Sequence, residues 1–143
     1  MYIYKQTNKQ QKPKSNSPNL LTNLPTKMEA LMNSSILTSE TCVSDCLKDN
    51  KETHHMNVCI QQCLVHEKIC KSLKMCVKNK CSKKIITHLM KACLESGLEV
   101  VKECGKHSMK CCTNCVKVVG NCNQQLKTRL SKSTKNTFKK NTF

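Results

Sequence analysis

The sequence predicts an all-α protein: an antiparallel four-helix bundle with a cysteine-lined interior and disordered basic tails. Three observations predict this fold. The stretch from residue 26 to residue 126 contains no proline and only three glycines, which disfavours turn-rich β architecture. Soft side chains recur there at alternating intervals of three and four residues, which places them along one side of a helix. The aromatic residues (Tyr2, Tyr4, Phe138 and Phe143) all lie near the ends, so the core must be built from aliphatic side chains and sulfur.

The first two helices are predicted from their start signals. The segment Thr26–Glu29 has the T-x-x-E form of a capping box and follows a proline, so a helix is expected over about 27–49. The segment Asp49–Glu52 is a second start signal, and it predicts a helix that continues to about residue 78. The short link between these helices indicates that they run antiparallel.

The third and fourth helices are predicted from serine and glycine positions. Ser82 is placed to cap a helix over about 83–104, and Gly105 would end it, because glycine is common just after the last helical turn. Ser108 would cap a fourth helix that ends near residue 128. Four helices joined by short loops make an up-and-down bundle the expected topology.

Each predicted helix carries one stripe of residues that would face the bundle axis. The stripes are Met28, Met32, Ser35, Ser39, Cys42 and Cys46 on the first helix; Cys59, Cys63, His66 and Cys70 on the second; Ile86, Met90, Cys93, Gly97, Val100 and Cys104 on the third; and Cys112, Cys115, Val119, Cys122 and Leu126 on the fourth, with Cys111 one position aside. Leucine or isoleucine would bury more apolar surface than cysteine at these positions, so packing alone does not explain the choice. The stripes therefore indicate metal ligation.

The 13 cysteines of this short chain indicate either a disulfide framework or metal ligation. The N-terminal sequence has no apolar segment followed by a small-residue cleavage site, and no apolar run is long enough to span a membrane. We therefore expect a cytoplasmic protein whose thiols stay reduced. The odd number of cysteines would also leave one thiol unpaired in a pure disulfide framework, so metal ligation is favoured.

The ligand chemistry favours Cu(I), with Zn(II) as the less favoured alternative, because thiolates and thioethers select soft ions. Structural zinc sites usually draw four ligands from C-x2-C pairs, and Cys112–Cys115 has no second pair of that spacing to complete it. Cu(I) accepts two or three thiolates, so a pair four residues apart, such as Cys42 and Cys46, can hold one ion across a helical turn. Several ions in a row are expected. No nucleophile–base pair or placed pair of carboxylates indicates catalysis, so we expect no enzyme.

Five further soft or borderline ligands are expected at one end of the bundle. In an up-and-down bundle, the loop between the first two helices and the loop between the last two lie at the same end. His54, His55 and Met56 flank the first of these loops, and His107 and Met109 lie in the second. We expect copper to be loaded at this end.

Both ends of the chain are basic and polar. Residues 1–25 carry four lysines, and residues 127–143 carry five lysines and one arginine, with no acidic residue in either segment. We expect disordered tails over 1–25 and 129–143, on either side of a domain at 26–128. Such tails are typically solvated. Binding to nucleic acid or an anionic surface is the less favoured alternative, since no groove-reading motif accompanies the charge.

At three places the sequence resembles the copper-storage proteins, a family of cysteine-rich four-helix bundles. The segment Glu103–His107, followed by the spacing Cys112-x2-Cys115-x6-Cys122, is similar to the family's stretch across its third and fourth helices. The segment Thr53–Cys59 is similar to the double-histidine start of its second helix. The pair Cys42 and Cys46 resembles the end of its first helix, and the resemblance as a pattern covers about residues 28–126.

The resemblance implies a tube that stores many Cu(I) ions on inward cysteines and is loaded through its histidine- and methionine-bearing end. Members of the family include cytosolic forms that assemble as tetramers, so a homo-oligomer and a copper donor are the implied partners. Taken together, the predicted metal ligands are Met28, Met32, Cys42, Cys46, Cys59, Cys63, His66, Cys70, Met90, Cys93, Cys104, Cys111, Cys112, Cys115 and Cys122.

The sequence also departs from the family pattern. Several family-like cysteine positions hold other residues, and the capacity for copper should therefore be reduced. Those that can still ligate copper are Met28, Met32, His66 and Met90, and those that cannot are Ser35, Ser39, Gly97, Val100, Val119 and Leu126. Four cysteines are additions to the family pattern: Cys63, Cys76, Cys81 and Cys111. Cys76 and Cys81 flank the loop between the second and third helices, where they could ligate with Met28 or be structural.

Two other functions remain as alternatives. The spacing Cys42-x3-Cys46-x12-Cys59-x3-Cys63 also has the form of the twin C-x3-C motif of small chaperones of the mitochondrial intermembrane space, which are helical hairpins held by two disulfides. That resemblance covers 22 residues and leaves nine cysteines unexplained. The second alternative is a zinc-bound helical adaptor that uses its basic tails on nucleic acid.

Overall fold

A computed structural model of the chain describes residues 23–48 and 53–140, with side chains described over 27–48 and 56–133. It confirms the predicted fold class, because the described residues form helices and no strand. The helices are α1 (Asn23–Lys48), α2 (Thr53–Lys78), α3 (Lys83–Cys104) and α4 (Lys110–Lys140). The predicted tail residues 1–22 and 141–143 and the start signal at 49–52 lie outside the described residues. No described helix has the length and apolar character needed to cross a bilayer.

The four helices pack as a ring around a central axis. Within the described residues, α1 contacts α2 and α4, α3 contacts the same two helices, and the backbones of the diagonal pairs α1–α3 and α2–α4 do not approach each other. Side chains must therefore fill the axis from all four walls.

Two of the predicted boundary signals are found in the structure. The Ser82 side chain accepts a hydrogen bond from the Ile85 backbone N–H at 3.3 Å and so caps α3. Gly105 follows the last residue of α3, and its N–H donates to the Val101 carbonyl at 3.0 Å. Its φ of −62° keeps it right-handed, so glycine is not required there for a left-handed backbone.

The predicted start of α1 and the predicted C-terminal end of α4 are both wrong by several residues. α1 begins at Asn23, so Thr26 lies inside the helix rather than at its cap. Pro25 permits this, because proline is tolerated in the first helical turn. α4 begins directly after Met109, which takes the position predicted for Ser108. The helix continues to Lys140 rather than ending near residue 128, because no glycine or proline follows Gly120 to interrupt it.

The core divides into two halves along the axis. The half at the α1–α2 and α3–α4 turns is here called the thiol half, and it contains Cys42, Cys46, Met56, Cys59, Ile60, Cys63, Val100, Cys104, Cys111, Cys112, Cys115 and Val119. The other half, at the α2–α3 turn, is called the mixed half, and it contains Met28, Met32, Ile36, Cys70, Leu73, Met90, Cys93, Cys122 and Leu126. Between them lies a polar layer of Ser35, Ser39, His66, Gly97 and Asn123, all of them buried.

Candidate metal centre

The structure buries every cysteine that the stripes place inward. These ten residues are Cys42, Cys46, Cys59, Cys63, Cys70, Cys93, Cys104, Cys112, Cys115 and Cys122, and none is more than 2% exposed. Cys111, predicted one position aside, is also buried, as are the soft ligands Met28, Met32, Met90 and His66. All 13 cysteines are free thiols. Their role as ligands stays a prediction, but the inward placement that it requires is present.

One group of four thiols takes a single cysteine from each helix. Its members are Cys42, Cys59, Cys104 and Cys112, whose sulfur atoms all lie within 4.8 Å of one another. Cys59 Sγ lies 3.3 Å from Cys104 Sγ. Cys59 Sγ also lies 3.9 Å from Cys112 Sγ, so sulfur atoms join the diagonal helices α2 and α4 across the axis.

Two further groups of four extend this one in both directions, and Cys42 belongs to all three. Cys42 and Cys46 meet Cys111 and Cys112 of α4, with sulfur separations of 3.8 to 4.0 Å. The third group consists of Cys42, Cys63, Cys104 and Cys115. The eight cysteines of the thiol half therefore form one connected network rather than separate sites.

The convergence of four helices changes the argument about zinc. Spacing along the chain disfavours a four-thiolate site, but the structure brings four thiols together in space. A tetrahedral zinc site with Zn–S bonds of about 2.3 Å has sulfur atoms roughly 3.8 Å apart, close to these separations. Sharing of Cys42 among three groups, rather than the sequence spacing, is what distinguishes this arrangement from a single closed zinc site.

A smaller group in the mixed half combines nitrogen and sulfur. Cys70 Sγ lies 3.3 Å from Cys93 Sγ and 3.4 Å from His66 Nε2. Met32 Sδ lies 3.9 Å from Cys93 Sγ, which joins the diagonal helices α1 and α3. The structure therefore brings together four of the predicted ligands here, one of them a thioether and one an imidazole.

The hydrogen bonds of Ser96 fix the tautomer of His66. The Ser96 hydroxyl donates to the Cys93 carbonyl at 3.1 Å, so its oxygen must accept the 2.7 Å hydrogen bond from His66 Nδ1. Nε2 then carries no proton and turns its lone pair toward Cys70. Burial lowers the pKa of His66 to about 4, which keeps the ring neutral at pH 7. A neutral histidine oriented by its second nitrogen is the form that binds metals.

Burial and crowding shift the pKa values of the thiols. Burial raises the pKa of Cys46 well above its usual range and that of Cys122 to about 11. The contact with Cys104 is the main cause of a raised pKa at Cys63 and of a lowered pKa at Cys59. The thiols whose pKa is raised are protonated at neutral pH, and a metal that binds them must release those protons.

The polar layer contains buried oxygens without partners. Ser35 Oγ, Ser39 Oγ and Asn123 Oδ1 have no hydrogen-bond partner in the described part of the chain. Gly97 leaves room for this layer, because a Cβ at that position would collide with Asn123 Oδ1 and lie 3.2 Å from His66 Cε1. Neither Ser96 nor Asn123 was predicted as a site residue, since their contacts depend on how neighbouring helices are aligned.

The predicted loading residues lie at the end of the thiol half. His54 and His55 are in the first turn of α2, with side chains outside the described residues. Met56 is fully buried within the thiol half, and Met109 packs against the same half. His107 is partly buried, with its Nε2 3.5 Å from Glu103 Oε1.

Comparison with known proteins gives one family. The model of a family described as copper storage protein matches residues 23–130, a span that contains all 13 cysteines and most of the four helices. Comparisons with curated proteins and with solved structures give no match.

Proposed function

The chain belongs to the copper storage protein family, and we propose that it stores several Cu(I) ions on thiolates along the axis of the bundle. The observation that carries this proposal is the network of eight buried thiols in which Cys42 takes part in three groups of four. A shared ligand suits a chain of neighbouring ions, because a thiolate can bridge two of them. Such bridging lets the same number of cysteines hold more ions than separate four-thiolate sites would.

Ligand chemistry supports Cu(I) as the stored ion. Thiolate and thioether ligands select soft ions, and the interior offers both together with one neutral imidazole. Each bound Cu(I) would offset the negative charge of a thiolate, which allows these buried thiols to lose their protons. Four thiolates would also satisfy the coordination of Zn(II), but the thioethers of Met28, Met32 and Met90 are poor ligands for that ion.

In the mixed half, the proposed ligands are His66 Nε2, Cys70, Cys93 and the Met32 thioether. Cys122, Met28 and Met90 extend the soft lining toward the far end of the axis. In the thiol half, the proposed ligands are Cys42, Cys46, Cys59, Cys63, Cys104, Cys111, Cys112 and Cys115. These side chains are buried, which fits a store rather than a catalyst.

We further propose that copper is loaded at the end bearing His54, His55 and His107. Its proximity to the densest group of thiols supports this direction, since Met56 lies within the thiol half and Met109 packs against that half. The proposal requires a reducing compartment such as the cytoplasm, because oxidised cysteines could not bind the ions. Assembly into a homo-oligomer is part of the proposal by family resemblance, and the mass of the protein in solution tests it.

A titration tests the proposed function. Reduced protein is titrated anaerobically with Cu(I) against a competing chelator, while bound ions and reactive thiols are counted. Storage predicts well over two ions per chain, with thiols protected as copper loads. Two disulfides in the isolated protein and little copper binding would instead support the twin C-x3-C chaperone. One tightly bound Zn(II) with little capacity for Cu(I) would support the zinc adaptor.

A further inference from the structure

Cys76 and Cys81 stand apart from both halves of the core. They are the two cysteines that are partly exposed, while the other 11 are buried. They flank the α2–α3 turn, at the end of the bundle opposite His54, His55 and His107. Packing in the core therefore does not account for them, and neither does the buried copper network.

The turn itself brings the two thiols together. The Cys81 N–H donates to the Cys76 carbonyl at 2.9 Å, and the Lys80 N–H donates to the Val77 carbonyl at 3.2 Å. Lys80 has a φ of 54°, so this pair of hydrogen bonds and the left-handed residue form a Schellman motif at the end of α2. In that motif the side chains at these two positions normally make a hydrophobic contact, and here both are cysteines. The neighbouring Cys81 thiol raises the pKa of Cys76, which agrees with their proximity.

The surroundings of this pair are strongly basic. Lys78, Lys80, Lys83 and Lys84 are all exposed and lie within three residues of Cys76 or Cys81 in the sequence, and no acidic residue occurs between Glu67 and Glu95. Two thiolates that hold one Cu(I) carry a net charge of −1. Nearby lysines favour such an anion over the neutral thiols. The charge of this end therefore supports a dithiolate complex.

We propose that Cys76 and Cys81 bind one Cu(I) between two thiolates in a surface site that exchanges copper with the solution. Both thiols release their protons to solvent as the two Cu–S bonds form, and no electron is transferred. A two-coordinate ion at the surface leaves room for a third thiolate from a donor or acceptor to attack. The choice of Cu(I) rests on the proposed function, whereas the pairing of the thiols does not.

A cavity close to the turn borders the mixed half. It has a volume of about 400 Å³, and its lining includes Val77 and Lys83, which are close to the two cysteines in sequence. Met28 and Met90 of the mixed half line the same cavity. Two thioethers of the mixed half therefore line a cavity that also reaches Val77, the residue next to Cys76.

Copper release tests the proposal. Anaerobic protein is saturated with Cu(I), freed of excess metal and mixed with excess chelator, and the rate of copper removal is followed. We expect the wild type to lose one ion per chain in a fast phase and the remainder slowly. The variant C76S/C81S should lack the fast phase and keep the slow one. The matched variant C42S/C46S, which also removes two thiols, should keep the fast phase and lose part of the slow one.

Alkylation of the wild type provides a second measurement that needs no variant. N-ethylmaleimide should modify Cys76 and Cys81 before the buried cysteines in metal-free protein, and saturating Cu(I) should protect both, as read by peptide mass spectrometry. Equal modification of the two residues with and without Cu(I), or a fast phase that persists in C76S/C81S, would overturn the proposal. A fast phase that depends on this pair, without any slow phase, would support the surface site and contradict the buried store.

Discussion

The thiol half and the mixed half have the same four walls but different linings. The thiol half holds eight cysteines in one network that all four helices supply. The mixed half holds three cysteines, and its remaining volume is filled largely by methionine and aliphatic side chains. A regular stripe along each helix therefore does not produce a uniform interior. The ligands are concentrated at the end where we propose that copper is loaded.

This difference separates two sources of stability. Leu73, Leu126 and Ile36 of the mixed half bury large apolar side chains, which stabilise a fold without metal. The thiol half replaces most such residues by cysteine, which buries less apolar area. We infer that the mixed half holds the metal-free bundle together, whereas the thiol half depends on bound metal.

The largest expected effect is that of metal loading on the thiol half. A ligand at about 100 times its Kd adds roughly 2.7 kcal/mol per site to the free energy of unfolding, and several Cu(I) ions would add several such contributions. Hydrogen exchange with and without Cu(I) measures this stabilisation residue by residue. We expect amides near Cys42, Cys59 and Cys112 to gain more protection than amides near Leu73 and Leu126. Equal gains of protection in both halves would contradict the inference that only the thiol half depends on bound metal.

The next effect concerns the shared ligand. Cys42 belongs to three groups of four thiols and Cys46 to one, although they lie one turn apart on α1 and are equally buried. Replacing Cys42 by serine should therefore remove about two Cu(I) ions per chain, whereas Cys46→Ser should remove about one. The Cu(I) capacity measured against a chelator distinguishes them. Identical losses would show that Cys42 does not bridge the groups.

The boundary between the halves can be tested at Gly97. A Cβ there would displace Asn123 and His66, so Gly97→Ala should lower the free energy of unfolding by about 1–3 kcal/mol. Gly120→Ala is the matched control, since a Cβ at Gly120 meets no atom within 4 Å. That change should raise stability by up to about 1 kcal/mol, because alanine favours a helix. Urea unfolding of both variants measures the difference, and a neutral Gly97→Ala would mean that the polar layer readily rearranges.

The smallest effect is expected at Ser96. Ser96→Ala removes the acceptor that orients His66, so the affinity of one Cu(I) ion in the mixed half should fall about tenfold. The total capacity and the affinity of the thiol half should not change. Ser72→Ala is a suitable control, because the Ser72 hydroxyl donates an exposed hydrogen bond to the Lys68 carbonyl within its own helix. Chelator competition on both variants measures the Cu(I) affinity of the mixed half. Equal affinities in the two variants would contradict a role of Ser96 in orienting His66.

Helical periodicity predicted most of the residues that face the axis, although it missed Leu73 and placed the partly buried Ile86 inward. The alternation of three- and four-residue intervals is a property of a single helix, so it can be found without knowing how the helices pack. Inward residues such as Cys63, His66 and Val119 are buried as expected. Ser82 was also predictable, because a cap is decided within a few residues. The start of α1 was not, since the capping-box pattern at Thr26 competed with a proline that fits equally well inside a first turn.

Contacts between helices were beyond the reach of the sequence. The three groups that share Cys42 depend on the axial alignment of α1 with α2, α3 and α4, and no spacing along the chain encodes it. The same holds for the hydrogen bond between His66 and Ser96, and for the room that Gly97 gives Asn123. The turn that pairs Cys76 with Cys81 involves only neighbouring residues, but it depends on the left-handed backbone of Lys80. A lysine in the sequence does not indicate that conformation, whereas a glycine would.

The sulfur atoms that join the diagonal helices have a consequence for oxidative damage. Cys59 with Cys112, and Met32 with Cys93, span the axis where the backbones themselves stay apart. Conversion of these sulfurs to sulfenic acid or sulfoxide would place polar oxygen atoms in the packed interior. Peroxide would therefore disrupt the packing of the core as well as the binding of copper. A chain filled with copper has its thiolates occupied, so the stored ions would protect the protein that stores them.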